Sequence, residues 1–308
     1  MKHLLSISDL TLEEIEDILK MAGKLKEDRY RNRVSDYLRN KSLAMIFEHP
    51  STRTRISFEV AMADLGGHAL YLSWNDLQLG RGETIKDTAM VMARYVHGVV
   101  IRARKHETVE EFARYSERPV INGLSDLEHP CQVLSDLFTI GEYKGNYRDL
   151  TITWVGDGNN VCNSLVLASA IVGMKMVVST PDNYRPREDI IKKAKEAYGG
   201  DIVVEPDPKK AVENADIIYT DVWVSMGMDN EKEDRIRNFK GYQVNQSLVD
   251  KSKDDVIVMH CLPAHRGEEI TSEVLEGTHS VVLDQAENRL HVQKAILVKL
   301  MSDIEFEE

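Results

Sequence analysis

Ser51, Thr52, Arg53 and Thr54 stand in a row, after a short apolar run and just ahead of a helical pattern. Hydroxyls and a guanidinium at a helix start suit one class of ligand, a phosphate. The first helical turn leaves N–H groups unpaired and carries a partial positive charge. Hydroxyls add donors there, and the planar guanidinium fork matches two phosphate oxygens at once. The same residues would also serve as an ordinary capped helix start, with Arg53 and Arg55 turned to solvent.

Other chemistry-bearing residues sit at similar junctions. His129-Pro130-Cys131-Gln132 precedes a second helical stretch. An imidazole there can polarise a carbonyl, and a side-chain amide can hold another amide; a capped helix with a surface histidine is the plainer reading. Arg102 closes an apolar strand, where α/β sheets place ligand groups, or else it faces solvent. Gly156-Asp157-Gly158-Asn159-Asn160 imitates a dinucleotide turn, with Val161 in place of the third glycine. Asp182, near the end of the next strand, could bind a ribose, so a nucleotide-dependent oxidoreductase stays open at this point. Asp221 offers a carboxylate to an ammonium group, and Ser225 adds a hydroxyl. In His260-Cys261-Leu262-Pro263-Ala264-His265, a thiol and two imidazoles invite zinc. No second cluster completes a tetrahedral set, and neighbours in an extended segment point apart, so no metal is expected. Arg289 opens the last helix, where it could equally be an exposed helical arginine.

Strands and helices must position these groups, and their alternation runs almost the whole chain. Strands are expected at Ser42–Phe47, Ala69–Leu72, Gly98–Ile101 and Val120–Ile121, with helices at Ile56–Leu65, Ile85–Tyr95, Val109–Tyr115 and Gln132–Tyr143. The pattern restarts at strand Thr151–Val155 and helix Val161–Val172. Strands Lys175–Ser179, Ile202–Val204, Asp216–Thr220, Val256–Met259 and Ser280–Leu283 follow, with helices at Arg187–Tyr198, Pro208–Asn214 and Glu287–Ile304. The polar stretch Gly227–Asn238 reads as a mobile loop. Such alternation means an α/β fold, here two domains, each a parallel β-sheet flanked by helices on both faces. The polar segment 145–149 divides them. Residues 1–147 form the first domain and 148–287 the second, with the helix 288–308 packing back on the first.

At roughly 100–200 residues per domain, 308 residues also suggest two domains. The net charge of −12 sets the chain against nucleic acid, so any phosphate site must be a local basic pocket. No apolar run reaches the ~18–20 residues of a membrane span. The start, Met1-Lys2-His3-Leu4-Leu5-Ser6, looks like neither a signal peptide nor a transit peptide. Cys131, Cys162 and Cys261 are odd in number and far apart, which favours a reducing compartment, the cytoplasm.

Together these runs resemble the aspartate/ornithine carbamoyltransferase family, and its ornithine branch in particular. The resemblance rests on Ser51-Thr52-Arg53-Thr54-Arg55 with Ser57-Phe58-Glu59, on His129-Pro130-Cys131-Gln132, and on Asp221-Val222-Trp223-Val224-Ser225-Met226-Gly227. His260-Cys261-Leu262-Pro263 and Ala286-Glu287-Asn288-Arg289 complete it, in the family's order. The aspartate branch usually has His-Pro-Leu-Pro where this chain has His260-Cys261-Leu262-Pro263.

The resemblance implies transfer of the carbamoyl group of carbamoyl phosphate to the side-chain amine of L-ornithine, with no cofactor. It implies that Ser51, Thr52, Arg53 and Thr54 hold the phosphate, with Gln78 and Arg102. Arg102, His129 and Thr54 would face the carbamoyl oxygen, and Pro130 and Cys131 would join His129 in the carbamoyl-phosphate site. Gln132, the carbonyls near Cys261 and Leu262, and Arg289 would hold the carbamoyl end; Arg102, His129 and Cys261 would carry the catalysis. Asn160, Asp221, Ser225 and Met226 would bind ornithine. Many relatives carry a lysine in the loop after the Gln78 position, where this chain has Leu79-Gly80-Arg81-Gly82-Glu83. The resemblance further implies a homotrimer or an assembly of trimers, while the acidic charge and the lack of a long apolar run lead to no nucleic-acid or membrane partner being expected. A different amine acceptor such as putrescine, or a metabolite-binding subunit without turnover, are the rival expectations.

Overall fold

The computed structural model describes residues 1–33, 35–225 and 229–302. The chain divides into two compact units: Met1–Phe138 with Glu287–Glu308, and Thr139–Ala286.

The first unit opens on helix α1 (Leu12–Tyr30), which Thr11 and Glu14 start as a capping box. Then come β1 (Ser42–Phe47), α2 (Thr52–Asp64), β2 (His68–Ser73), α3 (Ile85–Tyr95), β3 (Gly98–Arg102), α4 (His106–Tyr115) and β4 (Val120–Leu124). Helix α5 (Pro130–Lys144) follows, and the division between the units falls inside it. The sheet is parallel, in the order β2-β1-β3-β4. Alternate strand residues such as Ala44, Ile46, Val99 and Ile101 pack under α3 and α4, against Ala89, Val109 and Phe112. Each large apolar side chain buried there contributes on the order of 1.5–3 kcal/mol.

The second unit holds β5 (Thr151–Val155), α6 (Asn160–Val172), β6 (Lys175–Ser179), α7 (Glu188–Tyr198), β7 (Ile202–Val204), α8 (Pro208–Ala211) and β8 (Ile217–Thr220). It continues with α9 (Lys232–Asn238), α10 (Gln246–Val249), β9 (Ile257–His260) and α11 (Ser272–Leu275). Its parallel sheet has the order β7-β6-β5-β8-β9. Helix α12 (Val282–Met301) closes the chain. Its later turns belong to the first unit, where Lys299 reaches Asp17 at 3.1 Å and Lys294 donates to the carbonyl of Leu25 at 3.2 Å.

Chain order leaves one switch point in each sheet, where neighbouring strands send their connections opposite ways. In the first sheet it lies between β1 and β3, in the second between β5 and β8. Ligands of open α/β sheets gather beyond the carboxyl ends of strands at such points. The register lines those ends up: Phe47 opposes Arg102, Trp154 opposes Tyr219, and Thr220 opposes His260.

Three expectations are corrected. Helix α2 starts at Thr52, not Ile56, because Ser51 caps it and accepts from Thr54 N at 3.4 Å. Ser280–Leu283 is no strand: Ser280 makes one parallel bridge with Val258, and helix starts at Val282. Lys232–Asn238, in the stretch read as a loop, is helix α9, fixed by the buried Arg235.

Candidate functional site

The first unit brings most of its expected residues to the β1–β3 switch point. Ser51 to Thr54 form the cap and first turn of α2. Arg102 ends β3 and is buried, its carbonyl accepting from Glu48 N at 2.9 Å. His129 and Pro130 lead into α5, where Gln132 N and Val133 N both donate to the His129 carbonyl. Arg289 reaches in from α12. It donates to Gln132 Oε1 at 2.6 Å and to Thr54 Oγ1 at 3.1 Å, and is itself buried. Gln293, one turn on, turns its amide oxygen to Arg289 and accepts from Nε at 3.2 Å and Nη2 at 2.9 Å.

Electrostatics agree with that geometry. His129 is held well below the ordinary histidine value, first by burial and then by the positive charges of Arg289, Arg102 and Arg53. Its ring is therefore neutral at physiological pH, among guanidinium groups that a dianion would neutralise. Cys131 does other work. It is fully buried, donates to Asn122 O at 3.5 Å, and burial pushes its thiol up to about 12, so it packs rather than reacts. Gln78 is exposed on the short turn Gln78–Arg81, and among the described residues its side chain hydrogen-bonds none of these groups.

In the second unit the loops after β5, β8 and β9 meet. Asp221 is buried and accepts from Asn159 Nδ2 at 2.7 Å, Val222 N at 2.8 Å and Cys261 Sγ at 3.0 Å. Asn159, not Asn160, caps α6: its Oδ1 accepts from Val161 N and Cys162 N. Asn160 is the first helical residue, and its Oδ1 accepts from Val161 N at 2.9 Å. Ser225 is half-buried, and Met226 lies outside the described residues.

Cys261 and Leu262 follow β9. Leu262 has φ of 57° and precedes a cis bond to Pro263. The Leu262 N–H donates to His260 Nδ1 at 2.9 Å, so the ring proton sits on Nε2, which meets Glu269 Oε1 at 3.0 Å. Asp221, His260 and Cys261 do bring potential ligand atoms within 4.8 Å of one another. Both His260 nitrogens are committed, however, so a metal there would have to break the hydrogen bond that shapes the Leu262 turn.

The Gly156–Asn160 turn is also filled by the chain itself. A Cβ at Gly158 would lie 2.2 Å from Pro186 N, 2.4 Å from Arg185 C and 2.6 Å from Tyr184 O. Gly158 N donates to Tyr184 O at 2.8 Å. The backbone that this glycine admits is residues 184–186, not a pyrophosphate, which removes the basis of the oxidoreductase reading. Asp157, between the glycines, is buried and pairs with the buried Arg235 at 2.9 Å. Burial pushes its carboxyl up, to about 6, against the pull of Arg235.

Sequence reasoning missed Asn159, Gln293, Asp136 and the Asp157–Arg235 pair. Only Asn159 carried a usable signal, an Asn directly before a helical run. The others declare themselves only through burial and hydrogen bonding in the folded chain: Asp136 and Gln293 one helical turn from their partners, Arg235 78 residues from Asp157.

Two family models cover the chain. The carbamoyl-P binding domain of aspartate/ornithine carbamoyltransferase matches residues 2–142, and the Asp/Orn binding domain matches residues 148–300. The ornithine carbamoyltransferase of Archaeoglobus fulgidus is 67% identical over 98% of this chain and 98% of its own. That of Methanosarcina mazei is 56% identical over 97% of this chain and 99% of its own. Among solved structures, ornithine carbamoyltransferase from Pyrococcus furiosus superposes with a TM-score of 0.95 at 52% identity, covering 99% of this chain and 98% of that one.

Proposed function

The chain belongs to the aspartate/ornithine carbamoyltransferase family, and we propose on that footing that it transfers the carbamoyl group of carbamoyl phosphate to the side-chain amine of L-ornithine. The products are L-citrulline and inorganic phosphate. A nitrogen–carbon bond forms as the neutral amine adds to the carbamoyl carbon. The carbon–oxygen bond to phosphate then breaks, and its electron pair leaves with the phosphate, which in the net balance takes the amine's proton. Negative charge gathers first on the carbamoyl oxygen and then on the leaving group, where preorganised donors matter most. These bond changes call for no organic cofactor.

One observation carries the reading: Arg53, Arg102 and Arg289 all act on the buried, neutral His129, beside Thr54 and Gln132. In this reading Ser51, Thr52, Arg53 and Thr54 hold the phosphate, with Gln78 and Arg102. His129 donates to the carbamoyl oxygen as a neutral ring. In the second unit Asp221 takes the α-ammonium of ornithine, and Asn160, Ser225 and Met226 complete the amino-acid subsite.

The functional domains are 1–147 with the last helix, and 148–287. The first unit leaves Ile56, Met90, Val91 and Tyr95 exposed, which supports a homotrimer formed through that unit. Among the described residues no helix is long and apolar enough to cross a membrane. The three cysteines are free thiols, which supports a cytoplasmic enzyme.

A colorimetric assay tests the proposal. Purified protein with carbamoyl phosphate should form citrulline from ornithine and far less product from putrescine, which lacks the α-carboxylate. Arg53→Ala should nearly abolish turnover. Equal or better use of putrescine would overturn the ornithine assignment.

A further inference from the structure

On the reading that Gln132 meets the carbamoyl amide, we propose that Asp136 is a positioning residue that fixes the polarity of the Gln132 side chain. The first unit thereby selects a carbamoyl group over an acetyl group. Gln132 and Asp136 stand one turn apart on the same face of α5, a spacing at which Gln and Asp side chains meet. Gln132 Nε2 donates to Asp136 Oδ1 at 2.9 Å, while Gln132 Oε1 accepts from Arg289 Nη1 at 2.6 Å. Gln132 is 2% exposed and Asp136 fully buried.

A primary amide has two ends of nearly equal shape and opposite chemistry, and either can face a ligand. A carboxylate only accepts, and a guanidinium only donates. Asp136 and Arg289 therefore demand the same orientation from opposite sides. A flipped amide would set its NH2 against the guanidinium and its oxygen against the carboxylate. Burying a carboxylate costs more than burying an amide or an alkyl group, so Asp136 is an expensive way to fill space. An Asn at 136 could donate or accept, and would leave the Gln132 orientation undefined from that side.

The consequence is specificity. The Gln132 oxygen has two lone pairs, and Arg289 occupies one; the other accepts an N–H. Carbamoyl phosphate carries that N–H. Acetyl phosphate has the same shape and the same phosphate, but presents a methyl group and leaves the acceptor unpaired. Sites built around a substrate hydrogen bond discriminate strongly against analogues that lack it.

Equilibrium binding of carbamoyl phosphate, acetyl phosphate and inorganic phosphate to the full chain tests this. Wild type should prefer carbamoyl over acetyl phosphate at least about tenfold, and Asp136→Ala should lower that ratio about tenfold while phosphate affinity stays within about threefold. In the pair Gln132→Glu with Asp136→Asn, the new amide donates to a carboxylate that again presents only acceptors, so the ratio should recover. Parallel weakening of all three ligands in Asp136→Ala would show a merely structural role and overturn the proposal. So would a paired variant that discriminates no better than Asp136→Ala. Should Asp136→Ala not fold, the paired variant decides alone, and a ratio near one overturns the proposal. Wild type that binds no carbamoyl phosphate would sink the carbamoyl reading and this inference with it; intact binding with an unmoved ratio sinks only the role of Asp136.

Discussion

His129 enters the reaction as a neutral ring, and that has a kinetic signature. Burial and its arginine neighbours keep it well below the ordinary histidine value, so it does not titrate between pH 6 and 8. The ornithine side-chain amine, with a pKa near ~10, does change, its neutral fraction growing about tenfold per pH unit. With chemistry limiting, log kcat/KM for ornithine should rise with a slope near one across that range. A slope near two at the acid end would mean that His129 also loses a proton there. Asp221 yields a second prediction. Its carboxylate is aimed by Asn159 and Cys261. Losing a hydrogen bond to a charged group costs roughly 1.5–3 kcal/mol, so Asp221→Ala and Asn159→Ala should each raise the ornithine KM about tenfold or more. Carbamoyl phosphate binding to the free enzyme should barely change; steady-state kinetics with each substrate varied will tell. Residues with distinctive chemistry at strand ends, such as Arg53 and Asp221, are legible in a bare sequence. Asn159 shows in the sequence only as a helix cap, and Asp136 not at all, because their importance lies in the groups they hold.

Among the elements, α9 shows what periodicity cannot see. The charged run from Glu231 to Arg237 has little apolar pattern, and it reads as a loop. Arg235 nevertheless turns inward, donating to Asp157 Oδ2, to the Trp223 carbonyl and to Glu231, with its guanidinium over the Tyr184 ring. A single buried ion pair thus ties α9 to the β5–α6 turn. Removing one partner of such a pair typically costs about 3–5 kcal/mol, because a charge is left buried and unpaired. Arg235→Met should therefore destabilise the protein by that order in urea unfolding, and adding Asp157→Asn should recover a good part of it. If the double variant is less stable than Arg235→Met, the pair is not what holds α9. Elsewhere the errors lie at helix starts. Val281-Val282-Leu283 reads as a strand because short apolar runs do not separate strand from helix. Caps decide where helices begin, and Ser51 moves the start of α2 back to Thr52.

Across the whole molecule, alternation of strand and helix already implies two parallel sheets, but charge balance within each unit is tertiary and stays hidden until burial is known. The first unit buries His291, and burial lowers its ring to about 4 despite the 3.1 Å contact with Glu287. The second unit buries Asp157, raised to about 6. The two act on stability with opposite signs. For His291 the folded value lies below the unfolded one. As pH falls from 6.5 towards 4 the unfolded chain takes up a proton that the folded chain refuses, and stability is lost. For Asp157 the folded value lies above the unfolded one. As pH falls from 6 towards 3.8 the folded chain binds the proton first, and stability is gained. Glu287, Asp189 and Asp255, all lowered, lose their contributions only at more acid pH. Between pH 6 and 4.5 each of the two buried groups should therefore change stability by roughly 1.5 kcal/mol, in opposite directions. Urea unfolding at both pH values can separate them through substitution. His291→Gln should improve relative to wild type on acidification, since it no longer titrates, and Asp157→Asn should worsen by a similar amount. These differences hold whether the units open together or apart, because each compares a variant with wild type at the same pH. Variants whose offsets from wild type stay constant between pH 6 and 4.5 would show that neither group is held as burial dictates.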